Sequence, residues 1–217
     1  MQRIYIYILA GMLVFIFACK KIDNYDAPGG GIYGTLTDQV TGEPLQSEQP
    51  NGYTIRLFEK SGSMNSPISF QGKADGTYEN AMIFRNEYKV IPCEGAFFPL
   101  DTVSLKIDAR TELNFEVIPF LTVDGAAVAP SAGKITANYK ITRPRAADKI
   151  VERETLVSSI PTVNSVVYDF RAVTDLSVTN DTDILAASCT DEITGLVSGK
   201  TYYVRIAVRT NNELKRY

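Results

Sequence analysis

Few residues in this chain could carry chemistry by their type and spacing. Glu94-Gly95-Ala96-Phe97-Phe98-Pro99-Leu100 sets two adjacent aromatics in a loop. Their ring faces could stack on sugars or anchor a protein partner, while the alternative is that at least one of them closes the end of a sandwich. Asn180-Asp181-Thr182-Asp183, followed by Asp191-Glu192, gathers oxygens that calcium could use, since that ion takes six to eight hard ligands. The spacing matches no calcium loop, so a solvated turn is the better reading and no metal site is assigned. A pair of carboxylates could run glycoside hydrolysis, but nothing selects a pair from 25 acids. A sandwich of modest size also offers little room for a sugar cleft unless two domains form it jointly.

The chain contains no histidine. That removes Ser-His and Cys-His nucleophiles, imidazole acid–base catalysis and histidine metal sites. Gly29-Gly30-Gly31 precedes a strand pattern and not a helix, the wrong setting for cradling phosphate. No catalytic residue is assigned, no cofactor is expected, and the chain reads as a non-enzyme. A formal charge of -3 gives no footprint for nucleic acid, and Arg143-Pro144-Arg145 and Lys215-Arg216 read as surface charge.

The elements that must position these residues begin with the amino terminus. Gln2 and Arg3 open it, an uncharged apolar run follows from Ile4 to Phe17, and Ala18 and Cys19 close it. This run is too short for a comfortable membrane span and has the small-residue exit of a cleavable export signal. Ile16-Phe17-Ala18-Cys19 resembles a bacterial lipobox, which implies that 1–18 is removed and that Cys19 becomes the lipidated first residue. An ordinary secretory signal with a fortuitous cysteine is the alternative. Several acyl chains, each buried methylene adding about 0.8 kcal/mol, would hold the protein on a membrane without a spanning helix. Residues 19–31, with Pro28 and three glycines, read as a flexible tether. Cys93 and Cys189 remain, in an oxidising setting, and read as small buried hydrophobes, with a bridge as the alternative.

After the tether, short alternating runs rich in Val, Ile, Thr, Tyr and Phe are punctuated by Gly, Asn, Asp and Pro. This pattern predicts an all-β protein of two consecutive antiparallel β-sandwiches, at 32–120 and 121–217. Strands are expected at Ile32–Thr37, Tyr53–Glu59, Thr77–Tyr78, Glu87–Ile91, Thr102–Ile107 and Glu112–Ile118. A junction is expected over Pro119–Pro130. The second set follows at Lys134–Ile141, Ile150–Ser158, Val166–Phe170, Ile184–Ala187, Glu192–Leu196 and Tyr202–Thr210, and a further edge strand would be short or absent.

Gly34-Thr35-Leu36-Thr37-Asp38, Thr41-Gly42-Glu43-Pro44-Leu45, Ala74-Asp75-Gly76-Thr77-Tyr78 and Tyr88-Lys89-Val90 resemble the carboxypeptidase-regulatory or prealbumin-like sandwich. Leu196 to Val208 resembles the tyrosine corner of a fibronectin type III or immunoglobulin-like domain. That resemblance implies that Tyr202 bonds backbone upstream and that Val204, Ile206 and Val208 face the core. The lipobox, Asp23-Asn24-Tyr25 and the two sandwiches together resemble an uncharacterised family of two-domain Bacteroidetes lipoproteins. The resemblance implies a cell-surface outer-membrane protein, an accessory scaffold in polysaccharide uptake. Its partners would then be an outer-membrane receptor and a glycan-binding lipoprotein. Direct glycan binding is the alternative, with a glycoside hydrolase behind it. The absence of Trp, the strongest stacking residue, tilts the reading toward the scaffold.

Overall fold

The computed structural model describes residues 27–60, 66–146, 148–214 and 217. Cys19, the export signal and most of the tether lie outside them. The described chain is all-β apart from one short helix, with four antiparallel-rich sheets packed as sandwiches.

In the first half, β1 (Gly30–Asp38) is the central strand of one sheet. It pairs antiparallel with β4 (Thr77–Ile83) and parallel with two short strands, β7 (Arg110–Glu112) and β8 (Phe115–Val117). The facing sheet runs in the order β3 (Ile68–Gln71), β2 (Thr54–Glu59), β5 (Asn86–Cys93), β6 (Val103–Ile107). The alternation read from the sequence sets the inward faces. Ile32 and Leu36 from one sheet meet Tyr53, Ile55 and Leu57 from the other, all completely buried. At about 25 cal/mol per Å² of apolar surface, such a layer dominates the stability of the half.

Three features depart from expectation. β3 has no counterpart in the expected strands, since four residues, two half-buried and two exposed, are too short a run to register. Asp75-Gly76 does turn, with Gly76 at φ 78° and Thr77 N–H donating to Asp75 Oδ1 at 3.0 Å. It leads from one sheet to the other, however, and does not close a hairpin: β3 pairs with β2, and β4 with β1. Finally, the single strand expected over Glu112–Ile118 is split, because Leu113 and Asn114 step sideways across β1. Leu113 N–H donates to Tyr33 O at 2.9 Å, Thr35 N–H donates to Asn114 Oδ1 at 2.8 Å, and the Leu113 carbonyl accepts from the Tyr78 hydroxyl. Gly34 makes room for that carbonyl, since a Cβ there would lie 1.8 Å from Leu113 O.

The second half also has two sheets. One runs β13 (Ser188–Thr194), β10 (Lys134–Thr142), β9 (Thr122–Ser131); the other runs β12 (Phe170–Asp175), β11 (Ile150–Ser158), β14 (Tyr203–Thr210). Among the described residues no strand of either half pairs with a strand of the other. Most of the segment expected to be a junction is β9, paired with β10 along its length. Its periodicity was invisible because the strand lies at an edge and its last eight residues are all exposed, with Pro130 tolerated there.

The strand expected at Val166–Phe170 begins only at Phe170. Asn164 Oδ1 accepts from the N–H groups of both Val166 and Val167, and this side-chain turn outcompetes the ladder. The strand expected at Ile184–Ala187 is instead the helix α1 (Asp181–Ala186). Only Ile184 of this stretch is buried, and four residues of apolar character do not separate one helical turn from a strand. β13 starts earlier than expected and stops at Gly195, which takes φ 85°.

The close approach at Gly34 gives a direct test. Gly34→Ala should destabilise the protein by about 3 kcal/mol through overpacking, read as a lower denaturant midpoint with an unchanged slope. Wild-type stability would remove the role assigned to this contact.

Candidate partner-binding cleft

The loop that carries Phe97 and Phe98 is fastened to the chain between the two halves. Phe98 N–H donates to Ile118 O and Phe120 N–H donates to Ala96 O, each at 2.9 Å. Glu94, at φ 62°, turns the loop, and its carboxylate accepts from Thr54 Oγ1 at 2.7 Å and pairs with Arg56.

Phe97 was a candidate contact residue, and the structure corrects that. It is only 4% exposed and packs edge-on to Tyr53 with ring centroids 6.5 Å apart, so no ligand can reach its faces. Gly95 leaves space for its ring. Phe98 is half-buried. The Phe120 ring stands edge-on to it at 5.0 Å, and the Arg145 guanidinium lies 3.5 Å from its centroid. The face that could stack on a sugar is therefore occupied by a cation from the second half, a pairing of order 1 kcal/mol. Arg145, read from sequence as mere surface charge, is part of this stack.

Tyr202 lies where the tyrosine-corner resemblance puts it. Its hydroxyl accepts the N–H of Val197 at 3.1 Å, and its ring meets Phe170 edge-on at 6.2 Å. Val208 is buried, and Val204 and Ile206 pack against the core clusters of the half.

The acids weighed for calcium are engaged by protein donors. Asp181 accepts from Arg143 Nη1 at 2.6 Å and Lys149 Nζ at 2.8 Å, and from the Ile150 N–H at 3.3 Å. Burial raises the pKa of its carboxyl, but the bonds from Lys149 and Arg143 outweigh that and hold it below the usual carboxylate range. Asp191 accepts from Tyr139 Oη at 2.8 Å and Thr155 Oγ1 at 2.7 Å, and pairs with Arg153. Among the described residues no group of three or more metal-ligating side chains is gathered. Cys93 and Cys189 are free thiols, and burial pushes both above the ordinary thiol range.

A cleft lies between the two halves. It measures about 700 Å³ and is walled by the loop from Glu43 to Glu48 on one side and by β9, β14 and the Pro161–Ser165 turn on the other. Arg205 crosses it, donating to the carbonyl of Ser47, and the Ser165 hydroxyl donates to Glu48. Burial pushes the Arg205 pKa down, opposed by Glu48. Tyr203 is 41% exposed at the rim. Tyr217 lies over the outer sheet face, its phenol donating to Glu152 and its ring 5.5 Å from the Arg209 guanidinium.

Glu154 is fully buried in the wall. Arg171 Nε lies 2.8 Å from Oε2, while Oε1 has no hydrogen-bond partner among the described residues. Burial raises its pKa, and Arg171 offsets this only in part. None of these cleft residues was singled out from sequence as a binding residue. They come from six separated segments, and only the proximity of the halves joins them.

Residues 31–118 match the model of a protein family of unknown function, DUF3823, over its N-terminal domain. Three solved structures align along most of the chain, each with a TM-score of 0.73. A DUF3823 family protein from Bacteroides uniformis shares 26% identity, with 86% of this chain and 91% of that one covered. One from Parabacteroides merdae shares 22%, covering 88% and 96%. A further Bacteroides uniformis protein, described as a "putative carbohydrate binding protein", shares 21%, covering 88% and 95%. No curated protein matches the chain. The class defined by fold and comparison is thus a two-sandwich protein similar to DUF3823 family members of the Bacteroidetes.

Two substitutions separate structure from binding at these positions. Phe97→Ala should cost about 3–5 kcal/mol of stability as a core truncation, so loss of any ligand would track loss of folded protein in a melt. A fully stable Phe97→Ala variant would show that the ring is not core. Asp181→Asn should destabilise by about 1–3 kcal/mol at neutral pH. A carboxylate with a depressed folded pKa contributes stability above its unfolded pKa, and loses it as pH falls through the folded value. The difference between Asp181→Asn and wild type should therefore shrink as pH falls below about 4. A difference independent of pH would exclude the ion pairs as its cause.

Proposed function

We propose that this chain is a non-catalytic protein anchored to the outer membrane through a lipid on Cys19, and that it serves as an accessory scaffold in a polysaccharide-uptake system. The observation that carries this reading is the cleft between the halves. It is walled by two sheet edges and apolar side chains from both, a surface suited to another protein. The similarity to DUF3823 family proteins of Bacteroides and Parabacteroides supports the setting. Occupation of Phe98 by Arg145 and burial of Phe97 count against the loop as a sugar platform.

Direct glycan binding is the second reading. It is favoured by the description of one Bacteroides uniformis neighbour as a "putative carbohydrate binding protein", and by the exposed ring of Tyr203 beside the polar groups of Glu48, Asn164 and Arg205.

Affinity purification from native membranes with mild crosslinking tests the proposal. Stoichiometric recovery of an outer-membrane receptor or its glycan-binding lipoprotein is the expected result. Recovery of the protein alone, with retention on a polysaccharide panel that Tyr203→Ala abolishes, would replace the scaffold by glycan binding. Labelled palmitate should enter the wild type and not Cys19→Ser, which should leave the membrane fraction; equal labelling would remove the lipid anchor.

A further inference from the structure

The second sandwich leaves two sheet edges open beside one another. β14 pairs with β11 and β9 pairs with β10, and among the described residues nothing pairs with the other side of either. In an antiparallel sheet every second residue of an edge strand turns both its N–H and its C=O outward, ready for a neighbour. The cleft is lined by six consecutive residues of β14, from Tyr203 to Val208. Successive side chains point to opposite faces, so consecutive lining means that the strand presents its edge to the cleft. A cavity bordered by an unpaired backbone edge is shaped for an extended polypeptide, whose own main chain supplies matching donors and acceptors. A glycan has no such ladder.

The charge of the cleft narrows the occupant. Asp38, Glu43, Glu48, Asp124 and Glu154 line it, against a single guanidinium among the described residues, Arg205, already engaged by the Ser47 carbonyl. Glu154 gives the register. It stands directly opposite Ala207 of β14, on the sheet face shared by Tyr203 and Arg205. It is fully buried and its Oε1 lacks a donor among the described residues. A strand added to β14 would lie two strand spacings from β11, roughly 9.6 Å. A Lys or Arg placed opposite Ala207 could reach over that small side chain to Oε1.

We propose that the slot beside β14 takes an extended segment of a partner polypeptide, paired antiparallel to Tyr203–Thr210, with apolar residues alternating with basic ones and a Lys or Arg opposite Ala207 that pairs with Glu154. This rests on the scaffold reading above and specifies the chemistry of the partner. Binding would be a strand-addition event: the backbone ladder gives affinity, and the alternate side chains give selectivity.

Hydrogen exchange on the whole Cys19→Ser chain, alone and with an end-blocked nonapeptide alternating valine and lysine, tests this. The outward-facing amides of Tyr203–Thr210, those not bonded to β11, should exchange quickly in the free chain and at least tenfold more slowly with the peptide. A peptide alternating valine and glutamate should bind at least tenfold more weakly. Glu154→Gln, which keeps the side-chain shape, should reduce the preference for lysine at least fivefold. Ala207→Arg, which delivers its own guanidinium to Glu154, should abolish that preference. Three results would overturn the proposal: outward β14 amides already protected in the free chain, no slowing by the peptide, or equal binding of the two peptides. Recovery of a membrane partner together with any of these would leave the scaffold reading standing and remove only strand addition.

Discussion

The main-chain edge of a β-strand is the constraint on which the rest of this structure depends. A strand buried in a sheet needs a neighbour on both sides, because an unpaired buried N–H or C=O costs about as much as a lost hydrogen bond. β1 meets that demand with β4 on one side and the parallel pieces β7 and β8 on the other. The sideways step at Leu113, the missing side chain at Gly34 and the hydroxyl of Tyr78 all serve that completion. Among the described residues β14 has only β11, and the space along its free edge is the cleft. Completion of β1 on both sides and the single neighbour of β14 are two answers to the same main-chain requirement, and the free edge beside the cleft is where interaction is to be sought.

The two halves share no strand pair among the described residues, so their relation rests on side chains and on the short connection between Ile118 and Leu121. Backbone bonds from Ile118 and Phe120 to the loop at Ala96–Phe98 tie the connection to the first half. Arg145 then lies on Phe98 from the second half, and Arg205 and Ser165 reach Ser47 and Glu48. These contacts are few and mostly polar, the kind that fix an angle without a large apolar interface. The aromatic pair is thus divided in its duties: Phe97 fills the core, and Phe98 holds a cation across the join.

The acidic residues of the second half show how environment assigns a role that composition leaves open. Asp181 and Asp191 differ little on paper. One steadies the first turn of a short helix against Arg143 and Lys149; the other is buried among Tyr139, Arg153 and Thr155. Such fully bonded carboxylates are structural. Glu154 differs, because it is buried with an unused oxygen beside an open edge.

The sequence by itself determined the all-β class, because alternating apolar residues with Gly, Asn and Asp punctuation are a local signal that any strand must carry. It also determined the inward faces at Ile32, Leu36, Tyr53, Ile55 and Leu57, and the bond that Tyr202 makes upstream. Where local signals were weak or in competition, it misplaced elements: the exposed edge strand β9 read as a junction, the Asn164 turn as part of a strand, and α1 as a strand. The cleft, the burial of Phe97 and the unpartnered oxygen of Glu154 belong to the tertiary structure alone. They arise when segments far apart in the chain are brought into contact, and no periodicity within a single segment records which neighbour it will meet.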